Sequence, residues 1–301
     1  MRLGLCGTGR MGSAIALRLL ESGFSLVAWN RDEGKLPPLV DAGATTAANP
    51  ATLVGDADVV IVSLLDDEAV RTVYAGDAGL LSGDLQDKTI IETSTVHPAT
   101  AKHMAGLVAA KGGRFVECPV GGTVQPARDG KLVGLVGGEA AHVGSVRPVL
   151  DAMCRRVEHL GPVGSGAAMK LAVNLPLIAY WEALGEALTV ADGAGIDLDV
   201  AASLMIDSAG AIAVAPMRMA SVLQAVNDSD AEQPTNFSAA GMAKDLRLMC
   251  ELAEEEGLAM PVAEAARHGF DRVVAAGWGP RDGALVAAWP VLARRQQVGK
   301  A

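Results

Sequence analysis

Two groups of residues in this sequence have the types and spacing to do chemistry. The first is Gly7-Thr8-Gly9-Arg10-Met11-Gly12, which directly follows a short apolar run and opens an amphipathic stretch. A glycine at 7 permits a tight turn, one at 9 lets a pyrophosphate approach the backbone, and one at 12 lets a helix pack closely on a strand. The amides and dipole of the helix N-terminus then face the diphosphate charge. The pattern predicts dinucleotide binding by residues Gly7 to Gly12. The second group is Lys170 and Asn174, four residues apart in a helical pattern and therefore on one helix face. Ser165 reads as the helix N-cap, which puts Lys170 in or near the second turn of an otherwise apolar stretch. Partial burial lowers a lysine's pKa toward the working pH, as general acid/base catalysis needs. The Asn174 amide is placed to orient the lysine or to bind a substrate hydroxyl.

The second strand bears on which dinucleotide is bound. A carboxylate about 20 residues past the glycines bonds the ribose 2′-hydroxyl and favours NAD. This chain reads Trp29-Asn30-Arg31-Asp32 at that point. Neutral Asn30 does not repel a 2′-phosphate, and Arg31 offers a donor fork matched to phosphate. The expectation is NADP(H), with NAD(H) as the second possibility. Asp32 either reaches the ribose or caps the next helix.

The elements that must position these residues fall into two textures. Short β-rich runs come first, at Leu3–Cys6, Ser25–Trp29, Val59–Leu64, Thr89–Glu92, Arg114–Glu117, Leu132–Val136 and Val157–Leu160. They alternate with amphipathic segments at Met11–Ser22, Asp66–Val73, Ala99–Lys111 and Ala140–Met153. Continuous apolar runs such as Val59-Val60-Ile61-Val62 suit strands covered on both faces, and the alternation implies a doubly wound, largely parallel sheet of Rossmann type. Beyond Gly161 helical patterns dominate: Ser165–Gly193, Asp197–Ser208, Ala213–Val226, Ser238–Gly257, Val262–Ala276 and Asp282–Gln296. Gly193, Gly257 and Gly277 read as helix stops. The expected fold is therefore an α/β Rossmann-type domain over residues 1–162 followed by an all-α domain over 163–301. A polar loop is expected at Asn227–Asn236, including Asp230 and Glu232, and Glu254-Glu255-Glu256 reads as a solvated helix face.

Composition narrows the function classes. The chain has 301 residues, 50% of them hydrophobic, with 25 Lys and Arg against 35 Asp and Glu for a formal charge of −10. That charge argues against nucleic-acid or anionic-membrane partners, and no uncharged apolar run approaches the roughly 18 residues of a membrane helix. The N-terminus runs directly into the first strand with no room for a signal peptide, and Cys6, Cys118, Cys154 and Cys250 are widely spaced. They read as buried thiols of a cytoplasmic protein, not as a disulfide frame or zinc site. His97, His103, His142, His159 and His268 have no metal-ligand spacing, so no metal is expected. Ser94 lacks a histidine partner for acyl transfer. Pro176 frees the Ala172 carbonyl, and the nearby Tyr180 and Trp181 read as packing residues.

Further landmarks follow in order: Glu92-Thr93-Ser94-Thr95-Val96-His97-Pro98, Pro119-Val120-Gly121-Gly122-Thr123-Val124, Gly130-Lys131-Leu132, Val136-Gly137-Gly138, Gly164-Ser165-Gly166 through Lys170 to Asn174, and Phe237-Ser238 with Lys244-Asp245-Leu246. With the N-terminal glycines, this series closely resembles the β-hydroxyacid dehydrogenase family, which includes 3-hydroxyisobutyrate dehydrogenases and tartronate semialdehyde reductases. The resemblance implies an NAD(P)-dependent oxidoreductase that interconverts a short 3-hydroxyacid and its semialdehyde. It implies Lys170 as the catalytic acid/base with Asn174 as its partner, and Thr95 in contact with the nicotinamide end of the cofactor; Leu64 and Leu65, ending the fourth strand, read either as lining the same cleft or as core residues. It implies that Lys244 closes over cofactor and substrate, with Asp245 in support; Phe237 reads either as an apolar wall of the cleft or as a core residue. Gly121-Gly122-Thr123 reads by itself as an anion nest, and the family binds the substrate carboxylate there. The family often has serine where this chain has Gly121 or Gly122, which leaves Thr123 as the hydroxyl source and the substrate's identity open. A homodimer or homotetramer is implied as well.

Three other readings are separable. Imine reductases resemble the family but usually carry another proton donor where Lys170 stands. Phosphogluconate dehydrogenases have a larger helical domain and a histidine where Val173 precedes Asn174. A non-catalytic NADPH-binding sensor or scaffold would show no substrate-dependent NADPH oxidation.

Overall fold

The computed structural model describes residues 1–229 and 234–298. Asp230 and Glu232 of the expected polar loop lie outside the described residues. The chain divides into two compact units, Met1–Leu171 and Ala172–Ala301, with the division inside one long helix.

The first unit is built on a sheet of nine strands among the described residues: β1 Arg2–Cys6, β2 Ser25–Trp29, β3 Thr45–Thr46, β4 Val59–Val62, β5 Thr89–Glu92, β6 Arg114–Glu117, β7 Val120–Gly121, β8 Leu132–Gly138 and β9 Cys154–Gly161. The order is β3-β2-β1-β4-β5-β6-β8-β7, with β9 beside β8. The pairings from β3 across to β6 are all parallel, whereas β8 runs antiparallel to β6 and β7. Strand order reverses between β1 and β4, so the crevice outside their carboxyl ends is where a doubly wound sheet binds ligands.

The apolar runs are explained by two cores, one on each face. Leu3, Leu5, Val59, Ile61, Ile91 and Val116 pack with Ile15 and Leu19 of the helix Arg10–Glu21 on one side. Cys6, Val27, Val60, Val62, Ile90 and Phe115 pack with Tyr74, Leu80 and Met104 on the other. Alternate residues of one strand feed opposite layers, so each whole strand is apolar.

Several expectations are corrected in detail. The expected helix Ala140–Met153 is two, Ala140–Ser145 and Arg147–Met153, because Pro148 starts the second and cannot continue the first. The fourth strand ends at Val62, two residues early, and the backbone beyond it turns to bond the next loop. Ser165 is the first residue of its helix and not its cap; Gly164, with φ +103°, precedes it. In the second unit Gly193 lies within the last helical turn, and the left-handed residue that follows is Gly195. The expected helix Asp282–Gln296 begins as the 3₁₀ segment Gly283–Ala288 and becomes α-helical at Trp289–Val298.

The other helices of the second unit are Leu198–Asp207, Ala215–Asn227, Ala239–Glu256 and Pro261–Val273. Gly257 caps the third with φ +67°, and Glu254, Glu255 and Glu256 are exposed. Among the described residues no helix is long and apolar enough to cross a membrane.

Two of the buried strands end in a carboxylate. Glu92 and Glu117 are in register on β5 and β6. Glu92 accepts from the Tyr74 hydroxyl at 3.0 Å and from the Ser94 amide at 2.8 Å. Burial pushes its carboxyl up to about 7 from an ordinary 4.5, against the lowering effect of these hydrogen bonds. A folded-state pKa above the unfolded one means stability is full below about pH 4.5 and is lost as pH rises through about 7. Glu92→Gln, which cannot ionise, is expected to remove up to about 3 kcal/mol of the stability loss between roughly pH 4.5 and pH 8.5. Urea denaturation at the two pH values checks this, and an unchanged pH slope contradicts it.

Candidate functional site

In the first unit the glycine turn sits between β1 and the helix Arg10–Glu21. Gly7 has φ +99°, and a Cβ there would lie 2.9 Å from a Leu64 side-chain carbon and overlap the Ser63 carbonyl oxygen. A Cβ on Gly12 would overlap the Gly7 carbonyl oxygen, so helix and turn meet backbone to backbone. Gly9 differs: it is exposed, and a Cβ there would meet no atom within 4 Å. Gly9 is also the helix N-cap, with no side chain capping the first amides. The buried Thr8 hydroxyl makes no hydrogen bond among the described residues. Uncapped helix amides, open space above Gly9 and an unsatisfied hydroxyl fit the pyrophosphate of a dinucleotide. Arg10 is exposed at the same end, and Met11 packs against the core.

The end of β2 supports this turn. Asn30 Oδ1 accepts from the Thr8 amide at 3.1 Å, and its Nδ2 donates to the Asp32 carbonyl at 2.9 Å. Asp32 is occupied locally, accepting from the Gly34 amide at 3.1 Å with Lys35 Nζ at 3.8 Å. Of the two readings of Asp32, the cap is the observed one. Arg31 is exposed.

The loops after β4 and β5 are joined to each other. Ser94 Oγ accepts from the Leu64 amide at 2.8 Å, and Glu92 holds the Ser94 amide. Leu64 and Thr95 are half-buried, and Leu65 is 72% exposed. His97 caps the helix Pro98–Ala109, its Nδ1 accepting from the Ala99 amide at 3.2 Å, while its own amide donates to Asp67 at 3.0 Å. That is a structural duty which the sequence analysis leaves unassigned.

Gly121 and Gly122 follow from β7, and Thr123 is exposed beside them. Gly122 has φ +131°, and a Cβ there would lie 2.8 Å from a Leu132 methyl, so glycine is required. A Cβ on Gly121 would meet only ordinary contacts with Val133, at 3.6 Å and beyond, so its missing side chain is not forced by space.

Lys170 is partly buried on the helix Ser165–Gly193, one turn before Asn174. The first turn of that helix is held by Glu117, whose Oε1 accepts from the Gly164 amide at 2.6 Å and the Gly166 amide at 2.7 Å. Burial raises the Glu117 carboxyl against the lowering effect of these amides. Sequence reasoning assigns neither Glu92 nor Glu117 a part; the available signal is that each ends an otherwise buried strand with a carboxylate.

Within the second unit Asn174 is buried and donates through Nδ2 to Asp245 Oδ2 at 2.6 Å. Asp245, 1% exposed, forms an ion pair through Oδ1 with Lys244 Nζ at 3.0 Å. Asn174, Asp245 and Lys244 are therefore one connected group, a link that two segments 71 residues apart do not announce. Phe237 packs against Gly241, where an added Cβ would lie 2.8 Å from its ring.

Comparison with known proteins gives the family of the chain. Residues 2–161 match the NAD binding domain of 6-phosphogluconate dehydrogenase, and residues 164–289 match the NAD-binding domain of NADP-dependent 3-hydroxyisobutyrate dehydrogenase. Glyoxylate/succinic semialdehyde reductase 1 of Arabidopsis thaliana is 34% identical over 94% of this chain and 96% of its own length. The 3-sulfolactaldehyde reductase of Escherichia coli is 32% identical over 92% of this chain and 91% of its own. The crystal structure of 3-hydroxyisobutyrate dehydrogenase from Salmonella typhimurium superposes with a TM-score of 0.84 at 26% identity, covering 95% of this chain and 99% of that one. A glycine turn open above Gly9, a lysine helix anchored to the sheet, and matches spanning both units have one reading: the chain belongs to the β-hydroxyacid dehydrogenase family of NAD(P)-dependent oxidoreductases.

Proposed function

We propose that this chain is an NADPH-preferring reductase of short aldehyde acids, interconverting a short hydroxyacid and its aldehyde form, with Lys170 as the general acid/base. The observation that carries the proposal is the partly buried Lys170 on a helix whose first turn is fixed to the carboxyl end of β6. NADPH, when bound, supplies a hydride to the carbonyl carbon. Lys170 Nζ gives a proton to the carbonyl oxygen in reduction and takes it back in oxidation. Asn174, held by Asp245, presents its remaining amide capacity to the hydroxyl or to the lysine. Lys244, already paired with Asp245, carries the positive charge that faces anionic groups. The Gly121-Gly122-Thr123 turn receives the substrate's acid group through backbone amides and the Thr123 hydroxyl. The relatives act, by their names, on glyoxylate, succinic semialdehyde and sulfolactaldehyde, each an aldehyde bearing an acid group.

Cofactor choice follows from the end of β2. Asn30 is neutral and used in the turn, Asp32 is used in its own cap, and Arg31 is left exposed as the donor for a 2′-phosphate. Self-association belongs to the same reading. Val190, Val200, Leu204 and Met217 of the second unit are exposed apolar side chains of the kind a homodimer or homotetramer covers.

Lys170→Ala is expected to lower kcat for NADPH-dependent reduction of succinic semialdehyde or glyoxylate by about 10²–10⁴-fold with cofactor affinity retained. Turnover near normal in that variant removes the lysine from the chemistry. Arg31→Ala is expected to raise the Kd of NADPH about tenfold or more while leaving NADH within about twofold, the loss of one charge-assisted phosphate contact. Equal losses for both cofactors contradict the 2′-phosphate assignment.

A further inference from the structure

The helix that carries Lys170 is preceded by a glycine and not by a residue with a capping side chain. Gly164 has no side chain, and Ser165 already lies inside the helix. The first amides of a helix have no partner within it; here the Ser165 amide donates to the Pro162 carbonyl at 3.1 Å, and the Gly164 and Gly166 amides on either side of it are taken by Glu117, from the far end of a strand 47 residues earlier. Its Oε1 receives both the Gly164 and Gly166 N–H groups, at 2.6 and 2.7 Å. The carboxylate reaches them only because the surrounding backbone lacks side chains. A Cβ on Gly137 would overlap Glu117 Oε1 and lie 2.8 Å from the Pro162 carbonyl oxygen. A Cβ on Gly166 would overlap the Leu135 carbonyl oxygen and lie 3.2 Å from Glu117 Oε1. The Val136-Gly137-Gly138 and Gly164-Ser165-Gly166 motifs thus form the walls of one slot for a single carboxylate.

The position of this anchor bears on the lysine. Gly166 and Lys170 are four residues apart, so they share a helix face and are separated by about 6 Å along the axis. Whatever fixes the Gly166 amide against the sheet therefore fixes the base of Lys170. A carboxylate at a helix N-terminus also meets the favourable end of its dipole, so the contact is both directional and strong. Glu117 Oε2 is buried and has no hydrogen-bond partner among the described residues.

We infer that Glu117 is the positioning residue of Lys170, setting the register and depth of the lysine helix against the sheet. The inference rests on the assignment of Lys170 as proton donor. A displacement on the order of 1 Å at a reacting group costs up to about 10²-fold in rate. Glu117→Leu, similar in volume but without an acceptor, is expected to lower kcat about 10–100-fold. The KM of the aldehyde and the Kd of NADPH should stay within about threefold. Glu117→Gln keeps an acceptor oxygen for the two amides and is expected to restore most of kcat. A general loss of structure would move both variants' KM and stability together and would not split kcat from KM.

Amide exchange on the unmodified protein gives a second readout, with Gly164 and Gly166 expected to be protected well beyond exposed glycines. Fast exchange at both overturns the anchor. Should the leucine variant not fold, Gly137→Ala crowds the same carboxylate while leaving its charge, and the same kcat loss is expected. Unchanged kcat in whichever of these variants folds overturns the positioning role. Lys170→Ala run beside them separates the two claims: near-normal turnover there sinks the proton-donor assignment. Loss there with full activity in Glu117→Leu sinks only the positioning role.

Discussion

A carboxylate buried at 1% exposure needs hydrogen-bond donors, and Glu117 Oε1 finds two of them at the start of a helix. The requirement runs both ways. Backbone amides at a helix start need an acceptor, and a desolvated carboxylate needs donors. Meeting both needs in one contact ties the end of β6 to the first turn of Ser165–Gly193. It also dictates the glycines at 137 and 166, because any side chain there would fill the slot. Three motifs that stand far apart in the chain are thereby one physical object.

The same economy of backbone contacts shapes the other strand ends. At β1 the turn closes because Gly7 and Gly12 admit carbonyl oxygens where a Cβ would sit, leaving Gly9 and the first helix amides open. At β2 Asn30 spends its amide on Thr8 and Asp32, which shapes the turn, and Arg31 beside it is exposed. At β4 and β5 the Glu92–Ser94–Leu64 chain locks two loops together. Glu92 and Glu117 stand side by side in register, and the charge of Glu117 adds to the raising of Glu92. The scaffold of the first unit is a row of strand ends, several of them held by polar contacts to other loops or to a helix start.

Much of this was legible in the sequence, for a physical reason. Fully buried parallel strands read as unbroken apolar runs, and Val59-Val60-Ile61-Val62 feeds two cores as such a run should. The glycines at 7, 9 and 12 were legible because each serves a local backbone demand. Elements of two residues, such as Thr45–Thr46 and Val120–Gly121, carry too little pattern to be seen. The short helices Pro37–Asp41, Pro50–Gly55 and Val124–Arg128 were missed for the same reason. Ser165 shows the other kind of failure. A serine before an apolar helical run suggests a local cap, but a remote glutamate takes the Gly164 and Gly166 amides, and no local pattern records a contact across 47 residues. The bond from Asn174 to Asp245 was hidden in the same way: both residues were picked out, and their partnership was not.

Family membership assigns the chain to NAD(P)-dependent hydroxyacid chemistry, and the proposed reading narrows it to hydride delivery onto a short aldehyde acid with Lys170 supplying the proton. The most direct measurement follows the hydrogen itself. The protein is incubated with succinic semialdehyde or glyoxylate and NADPH carrying deuterium at the transferable nicotinamide C4 position, and the product is analysed by NMR. The account predicts deuterium on the carbinol carbon of the resulting hydroxyacid. A product formed without deuterium there, with NADPH consumed, would contradict it.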